Sequence, residues 1–343
     1  MQPYGDPHHA ELRGQLMLPE PGKENGLLDL GGHFGLHPAL AGLHGLYRQN
    51  QALIVHAVAG PYRIRSHFDA QDLLESGADQ RLNSGWLNRA LQAMPSGGQA
   101  RAGLSVGNSV PLLLRGPVAV GSYSPPGLDR PSPDLLYRIA ALQEQDAALG
   151  RAFREGMRAR GFAETALGTQ DNDPERASFP HLAAAAGRLL AANDGPRVAA
   201  LDIGGWDTHA AQAIRIVAPL RSLDAGLVAL RDSLGPNWAR TVVLVITEFG
   251  RTARANGNRG TDHGTASVAF LAGGAVAGGR VVADWRGLGG EGLLANRDLQ
   301  PTSDLRSVAK ALLRDHLRLP PAAVAQAFPG CDEATPMAGL VRA

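Results

Sequence analysis

One cysteine, Cys331, stands in 343 residues. Its solitude excludes an internal disulfide framework and any zinc finger built on thiolates. Lysine is almost missing: Lys23 and Lys310 are the only two, so 31 of the 33 basic residues are arginine. With abundant Ala, Gly and Pro, that bias reads as GC-rich coding rather than as phosphate recognition. Thirty-three basic residues against 32 acidic ones leave a net charge of +1, which removes the global basic field of a nucleic-acid binder. Aromatic residues make up 5% of the chain, too few and too scattered for base-stacking platforms. No run approaches the ~18 apolar residues of a transmembrane helix. The first 20 residues lack the basic start and apolar stretch of a signal peptide.

What is present is a chain that is 44% hydrophobic, long enough to bury a core without staples. The 43 glycines and 23 prolines exceed the ~12% of average composition and stay below the ~25–30% that marks disorder. No internal repeat or clean domain boundary is visible, so residues 1–343 are expected to form a single domain, loop-rich over 1–35 and 168–180. The hydrophobic pattern predicts a helix over 38–48, a buried strand over 52–58 (ALIVHAV) and a helix from Ser66 through SHFDAQDLLES, with Ser66 and Asp69 close to a capping box. Further helices are expected over 85–94, 131–161 (Leu135, Ile139, Leu142 and Leu149 on a stripe), 181–192, 210–234 and 303–317. Further strands are expected at LSVG and PVAV within 103–120, at VAALDI (198–203), at TVVLVIT (241–247, apolar enough to be covered on both faces) and at SVAFL (267–271). Strands alternating with helices imply an α/β fold with an open, mainly parallel sheet.

In such sheets ligands gather beyond the carboxyl ends of the strands. Asp207-Thr208-His209 follows VAALDIGG, and Glu248-Phe249-Gly250-Arg251 follows TVVLVIT. Asp262-His263-Gly264 precedes SVAFLAGG, after a glycine-rich loop able to fold back over the site. Three carboxylates and two imidazoles form an N/O donor set suited to Zn²⁺, Mn²⁺ or Mg²⁺. The competing structural readings are a helix cap at Asp207 or Thr208, a Glu248–Arg251 salt bridge and a hydrogen-bonded loop histidine at His263. A fourth cluster, Arg63-Ile64-Arg65-Ser66-His67-Phe68-Asp69, leaves a strand and opens a helix. It is a natural place for an oxyanion, or simply a capped helix with His67 satisfied locally. His8 and His9 read as loop residues, His33, His37 and His44 as packing or loop residues, His56 as a satisfied core histidine, and His181 and His316 as helix-surface residues. GGAVAGG matches neither a phosphate-binding loop nor a dinucleotide fingerprint.

The strings HFGLHPAL, RSHFDAQDLLESG and SGWLNRAL, then GGWDTHAAQ, TEFGR, GTDHGTASVAFLAGG and PTSDLRSV, resemble the domain-of-unknown-function 1501 family, collinearly from about Tyr4 to about Leu317. That family in turn resembles the alkaline phosphatase and sulfatase superfamily. The resemblance implies a three-layer α/β/α sandwich with a metal-assisted hydrolytic site. Residue by residue, it places metal ligation on Asp207, His209, Glu248 and His263, with Asp262 as ligand or orienter. It puts Ser66 at the turn of the nucleophile, and Arg65 and Arg251 against charge on the transferring group. Many members look exported, often behind a twin-arginine signal; the chain as given would be cytoplasmic if complete. Departures are clear. Relatives carry an Asp-His pair where this chain has Glu248 without a histidine, and the sulfatase Cys-x-Pro-x-Arg signature is absent. The opening Met1-Gln2-Pro3-Tyr4 falls just beyond the family's first apolar strand and its Gly-Gly-x-Asp turn, so a strand at the sheet's centre is expected to be missing.

The leading expectation is therefore a metal-dependent hydrolase of phosphate or sulfate esters, using a divalent Zn, Mn, Ca or Mg ion on a small anionic ester, with no nucleic-acid partner. The alternatives are a non-catalytic anion-binding or export-accessory protein on the same fold, or an inactive truncated homologue.

Overall fold

The computed structural model describes residues 1–94, 102–124, 133–143, 146–167 and 177–342. Most of the loop expected over 168–180, namely 168–176, lies outside the described residues, as does the Pro131 start of the helix expected there.

Strands in chain order are β1 (Leu28–Asp29), β2 (Gly35–Leu36), β3 (Ala52–Ala59), β4 (Gly103–Val106), β5 (Gly121–Tyr123), β6 (Val198–Leu201), β7 (Val243–Val245), β8 (Ser267–Ala272), β9 (Arg280–Val282), β10 (Leu293–Leu294), β11 (Asp298–Leu299) and β12 (Ser303–Asp304). The larger sheet runs β12-β3-β8-β7, with β9 also paired to β3; a second sheet runs β5-β4-β6. Helices are α1 (His9–Arg13), α2 (Ala41–Arg48), α3 (His67–Ser76), α4 (Trp86–Leu91), α5 (Pro133–Gln143), α6 (Ala147–Leu167), α7 (Phe179–Ala191), α8 (Gln212–Arg215), α9 (Val217–Leu234), α10 (Leu305–Ala311) and α11 (Pro321–Ala327). The fold is α/β, with helices mixed among sheets that do not close.

The strand β3 shows why the core forms where it does. Successive side chains of a strand point to opposite faces. Ala52 and Ile54 enter one buried cluster with Leu43 and Leu46 of α2, Ala183 and Leu189 of α7, and Leu223 and Leu230 of α9. Leu53 and Val55 enter another with Leu305, Val308 and Ala311 around α10. Both faces of β3 are thus covered, as an apolar run interrupted only by His56 requires.

Within the mainly parallel pairing of the two larger sheets, β8 is the exception, running antiparallel to both β3 and β7. Several expectations needed correcting. PVAV is not a strand, and β5 starts only at Gly121. The buried Asn88 side chain captures Val118 instead, donating to its carbonyl at 2.8 Å and accepting from its N–H at 3.1 Å. The helix expected over 210–234 is split into α8 and α9. Pro219 cannot donate to the carbonyl four residues back, at Arg215, so the chain breaks there. Residues 1–35 are not all loop, since they hold α1 and the β1–β2 hairpin. The stripe Leu135, Leu142 and Leu149 is exposed rather than packed. Strand β7 is only half-buried along its length, because it ends the larger sheet and lines a cavity. Among the described residues, no helix is long and apolar enough to cross a membrane.

Two histidines read as bland are buried. His9 and His56 are 2% and 4% exposed, and burial pushes each imidazole down to about 4. The unfolded chain, with histidines near 6.5, binds more protons between those values, so stability falls as pH drops from about 6.5 towards 4. At pH 5 each residue is expected to cost on the order of 2 kcal/mol. The check is the urea midpoint at pH 7.5 and pH 5, in the wild type and in His56→Gln, whose acid loss should be smaller.

Candidate metal centre

Four chain segments meet at one place. Arg65-Ser66-His67 leaves β3 and opens α3. Asp207 and His209 follow β6, after Gly205 turns the chain at φ +95°, a conformation suited to glycine. Glu248 and Arg251 follow β7, and Asp262-His263 precede β8. An isolated antiparallel bridge pairs Arg251 with His263, so two of the segments are stitched directly. Between them Gly250 donates to the Thr265 carbonyl at 2.9 Å and accepts from Gly264 N–H at 2.8 Å. A side chain at Gly250 would strike the Ala266 backbone. Gly250→Ala is therefore expected to destabilise by about 1–3 kcal/mol, read as a lower urea midpoint.

The convergence point is Asp207 Oδ1. It lies 2.8 Å from His209 Nε2, 3.1 Å from His263 Nε2 and 3.6 Å from His67 Nε2. Arg251 also reaches it, while donating to the carbonyls of Thr261 at 2.9 Å and Trp206 at 3.1 Å. Partial burial pushes the Asp207 carboxyl up, but Arg251 and His263 outweigh it and hold the group at about 2. Asp207 is therefore a fixed negative charge at neutral pH.

The histidines are oriented from behind. His67 Nδ1 sits 2.6 Å from Glu248 Oε1, and His263 Nδ1 sits 2.8 Å from the Arg65 carbonyl oxygen. Each acceptor favours the Nδ1–H tautomer, leaving an Nε2 lone pair aimed at Asp207. His209 Nδ1 lies 3.3 Å from Asp262 Oδ1, and Asn256 Nδ2 donates to that same oxygen at 2.9 Å. His209 Nε2 and His263 Nε2 are only 3.0 Å apart. Two lone pairs at that distance repel unless a proton or a cation lies between them. Phe249 walls the site, its ring 4.9 Å from His67 and 4.7 Å from His263.

These residues fit a metal ion. Ligand atoms from His67, Asp207 and His263 lie within 4.8 Å of one another. His67 Nε2 is buried and lacks a hydrogen-bond partner, an uncommon state for a buried polar atom. Three protein ligands with one position open is the pattern of a catalytic site. A carboxylate behind the outer nitrogen of a ligating histidine is the usual second support.

The structure redistributes the roles read from sequence. Asp207, His209 and His263 meet as expected. Glu248 and Asp262 do not reach Asp207; each contacts the Nδ1 of a histidine instead. Burial raises the Glu248 carboxyl, but hydrogen bonds from Thr247 and His67 hold it below its ordinary value. Asn256 and His209 likewise lower Asp262. Arg251 bridges to Asp207 rather than to Glu248. Arg65 points its guanidinium at the buried Asp298, 2.6 Å away, so both arginines meant for a transferring group are already paired with carboxylates. Ser66 sits at the first turn of α3 but makes no side-chain cap, contrary to the capping-box expectation. His67, left between an oxyanion site and a locally satisfied cap, instead joins Asp207 and His263 in the group that could hold a metal ion. Its place in RSHFD beside Ser66 was the available signal, yet its partners lie 140 and more residues away. Glu248→Gln is expected to lower metal affinity 10–100-fold through His67, measured by zinc titration.

The profile of a family described as Protein of unknown function (DUF1501) matches residues 48–328. The chain belongs to this family. The matched span takes in all four segments of the cluster, from Arg65 to His263. No curated protein and no solved structure matches the chain.

Proposed function

We propose that this DUF1501 protein is a metal-dependent hydrolase of phosphate or sulfate esters, built as a single alkaline phosphatase-like three-layer domain. The observation that carries the reading is the orphaned His67 Nε2, aimed with His263 Nε2 at the ionised Asp207. In this reading His67, Asp207 and His263 hold a divalent ion, with His209 beside them. When bound, such an ion polarises an ester oxygen and lowers the pKa of coordinated water. The chain's own residues do the rest. Glu248 fixes the ring of His67, and the Arg65 carbonyl fixes that of His263. Arg251 holds the Asp207 carboxylate ionised, and Phe249 keeps bulk water off one side. Ser66, next to His67 at the helix start, takes the nucleophile's role in this reading.

One observation favours a second, non-catalytic reading. Arg251 already supplies Asp207 with a cationic partner, so the cluster is charge-balanced without a metal and could serve as a binding surface alone. Metal analysis of the purified protein, beside turnover of aryl phosphates and aryl sulfates with Zn²⁺, Mn²⁺, Ca²⁺ or Mg²⁺, separates the two. Turnover that needs metal supports the hydrolase; the absence of both bound metal and turnover supports the second reading.

A further inference from the structure

The glycine-rich loop ahead of Asp262-His263 folds back onto the segment that carries His209. Ala211 N–H donates to the Asn258 carbonyl at 3.1 Å, and Gln212 N–H to the Arg259 carbonyl at 2.9 Å. A side chain at Gly260 would strike the His209 carbonyl. Ala211 and Arg259, neither of them glycine, sit at φ +49° and +57°. Such backbone persists where surrounding contacts over-determine it.

Asn256 supplies many of those contacts. Its Oδ1 accepts from the N–H groups of Asn258 and Gly260, both at 3.0 Å, which closes the loop on itself. Its Nδ2 donates to the His209 carbonyl at 3.0 Å and to Asp262 Oδ1 at 2.9 Å. Two donors facing its oxygen and two acceptors facing its nitrogen match an amide in one orientation only. A carboxylate in its place could serve the oxygen side alone.

The same Asp262 oxygen faces His209 Nδ1 at 3.3 Å. The Asp262 side chain is 51% exposed, so without Asn256 it would be free to turn into solvent. Held in place and ionised, it is an acceptor for a proton on Nδ1. That leaves Nε2, 2.8 Å from Asp207 Oδ1 and 3.0 Å from His263 Nε2, as the nitrogen turned to the centre of the cluster.

We propose that Asn256 is a positioning residue of the metal centre: by fixing Asp262 it keeps a proton on His209 Nδ1 and turns Nε2 to the ion. The proposal rests on the metal reading of the cluster.

The test has two arms. Nitrogen-15 NMR of the metal-free protein reads whether His209 Nδ1 carries hydrogen and how fast that hydrogen exchanges. Nδ1 should be protonated in the wild type. Asn256→Asp keeps the acceptors that close the loop but sets a second carboxylate against Asp262, so the ring hydrogen should exchange at least about tenfold faster. Unchanged exchange of the Ala211 and Gln212 amides shows the loop still in place. In the second arm, zinc titration, Asn256→Asp and Asp262→Ala should each weaken binding about tenfold. The double variant should bind no more weakly than Asp262→Ala alone, because both changes act through one contact. An Nδ1 without hydrogen in the wild type, or an exchange rate that Asn256→Asp leaves unchanged, would overturn the proposal. So would zinc losses that add in the double variant. Loosened Ala211 and Gln212 amides in Asn256→Asp would overturn it as well, since Asn256 would then act by holding the loop. A wild type that binds no zinc would overturn the metal reading and leave the NMR arm to decide the role of Asn256.

Discussion

Asp207→Asn is expected to weaken metal binding by more than about 100-fold and, in the hydrolase reading, to remove measurable ester turnover. Partners that touch only the ligands already cost 10–100-fold when lost, and Asp207 is where the ligands point. Its Oδ1 faces three imidazole Nε2 atoms and the Arg251 guanidinium. Asparagine keeps the shape and loses the charge, leaving Arg251 and the histidines without their counter-ion. Folding should survive, because the Asp207 side chain is half-exposed. The carboxyl is held at about 2 against an ordinary 3.8, so its own contribution to stability is present above about pH 4 and is lost as pH falls towards 2. Zinc titration by calorimetry reads the first effect. A urea midpoint close to that of the wild type at pH 7 shows that the loss is not unfolding.

Asp298→Ala should have the largest effect on stability. This carboxylate has no exposed surface. It accepts from Arg65 at 2.6 Å, Thr265 at 2.8 Å and Arg297 at 2.7 Å. Removing one partner of a buried ion pair costs about 3–5 kcal/mol. Both arginines keep some contact with water, which moderates the loss to about 2–4 kcal/mol. A second consequence separates this change from simple core damage. Arg65 holds His263 through its carbonyl oxygen, so freeing the Arg65 side chain should also weaken zinc binding about tenfold. A core substitution such as Leu313→Ala, against α4 and α11, should lower the midpoint without touching zinc affinity.

How much of this was legible in the sequence depends on the range of the interaction involved. Ala52–Ala59 and Ser267–Ala272 are apolar apart from His56 and Ser267, and local hydrophobicity is enough to mark them. The fate of PVAV was not so marked, whereas the split of the helix expected at Ala210 was signalled locally by Pro219. Asn88 takes the backbone of Val118 from 30 residues away, and no window of sequence contains both. The direction of β8 was equally hidden, because an apolar run carries no sign of parallel or antiparallel pairing. At the site, Asp207, His209 and His263 stood out because carboxylates and imidazoles beside glycine at strand ends are few. His67 did not, because its meaning comes from Glu248 and Asp207, which only the folded chain brings near. Glu248, read as a ligand, and Asp262, read as ligand or orienter, each contact the Nδ1 of a histidine rather than Asp207. A donor list does not distinguish a residue that meets a metal from one that holds the residue that does.

The central claim is that His67, Asp207 and His263 form one metal site. The most direct measurement is metal content by equilibrium dialysis against Zn²⁺ and Mn²⁺ for the wild-type chain, His67→Ala and His263→Ala. The account predicts about one ion per wild-type chain and loss of that ion in both variants, with all three proteins folded by circular dichroism. Wild-type protein that takes up no ion, or variants that keep it, would contradict the account.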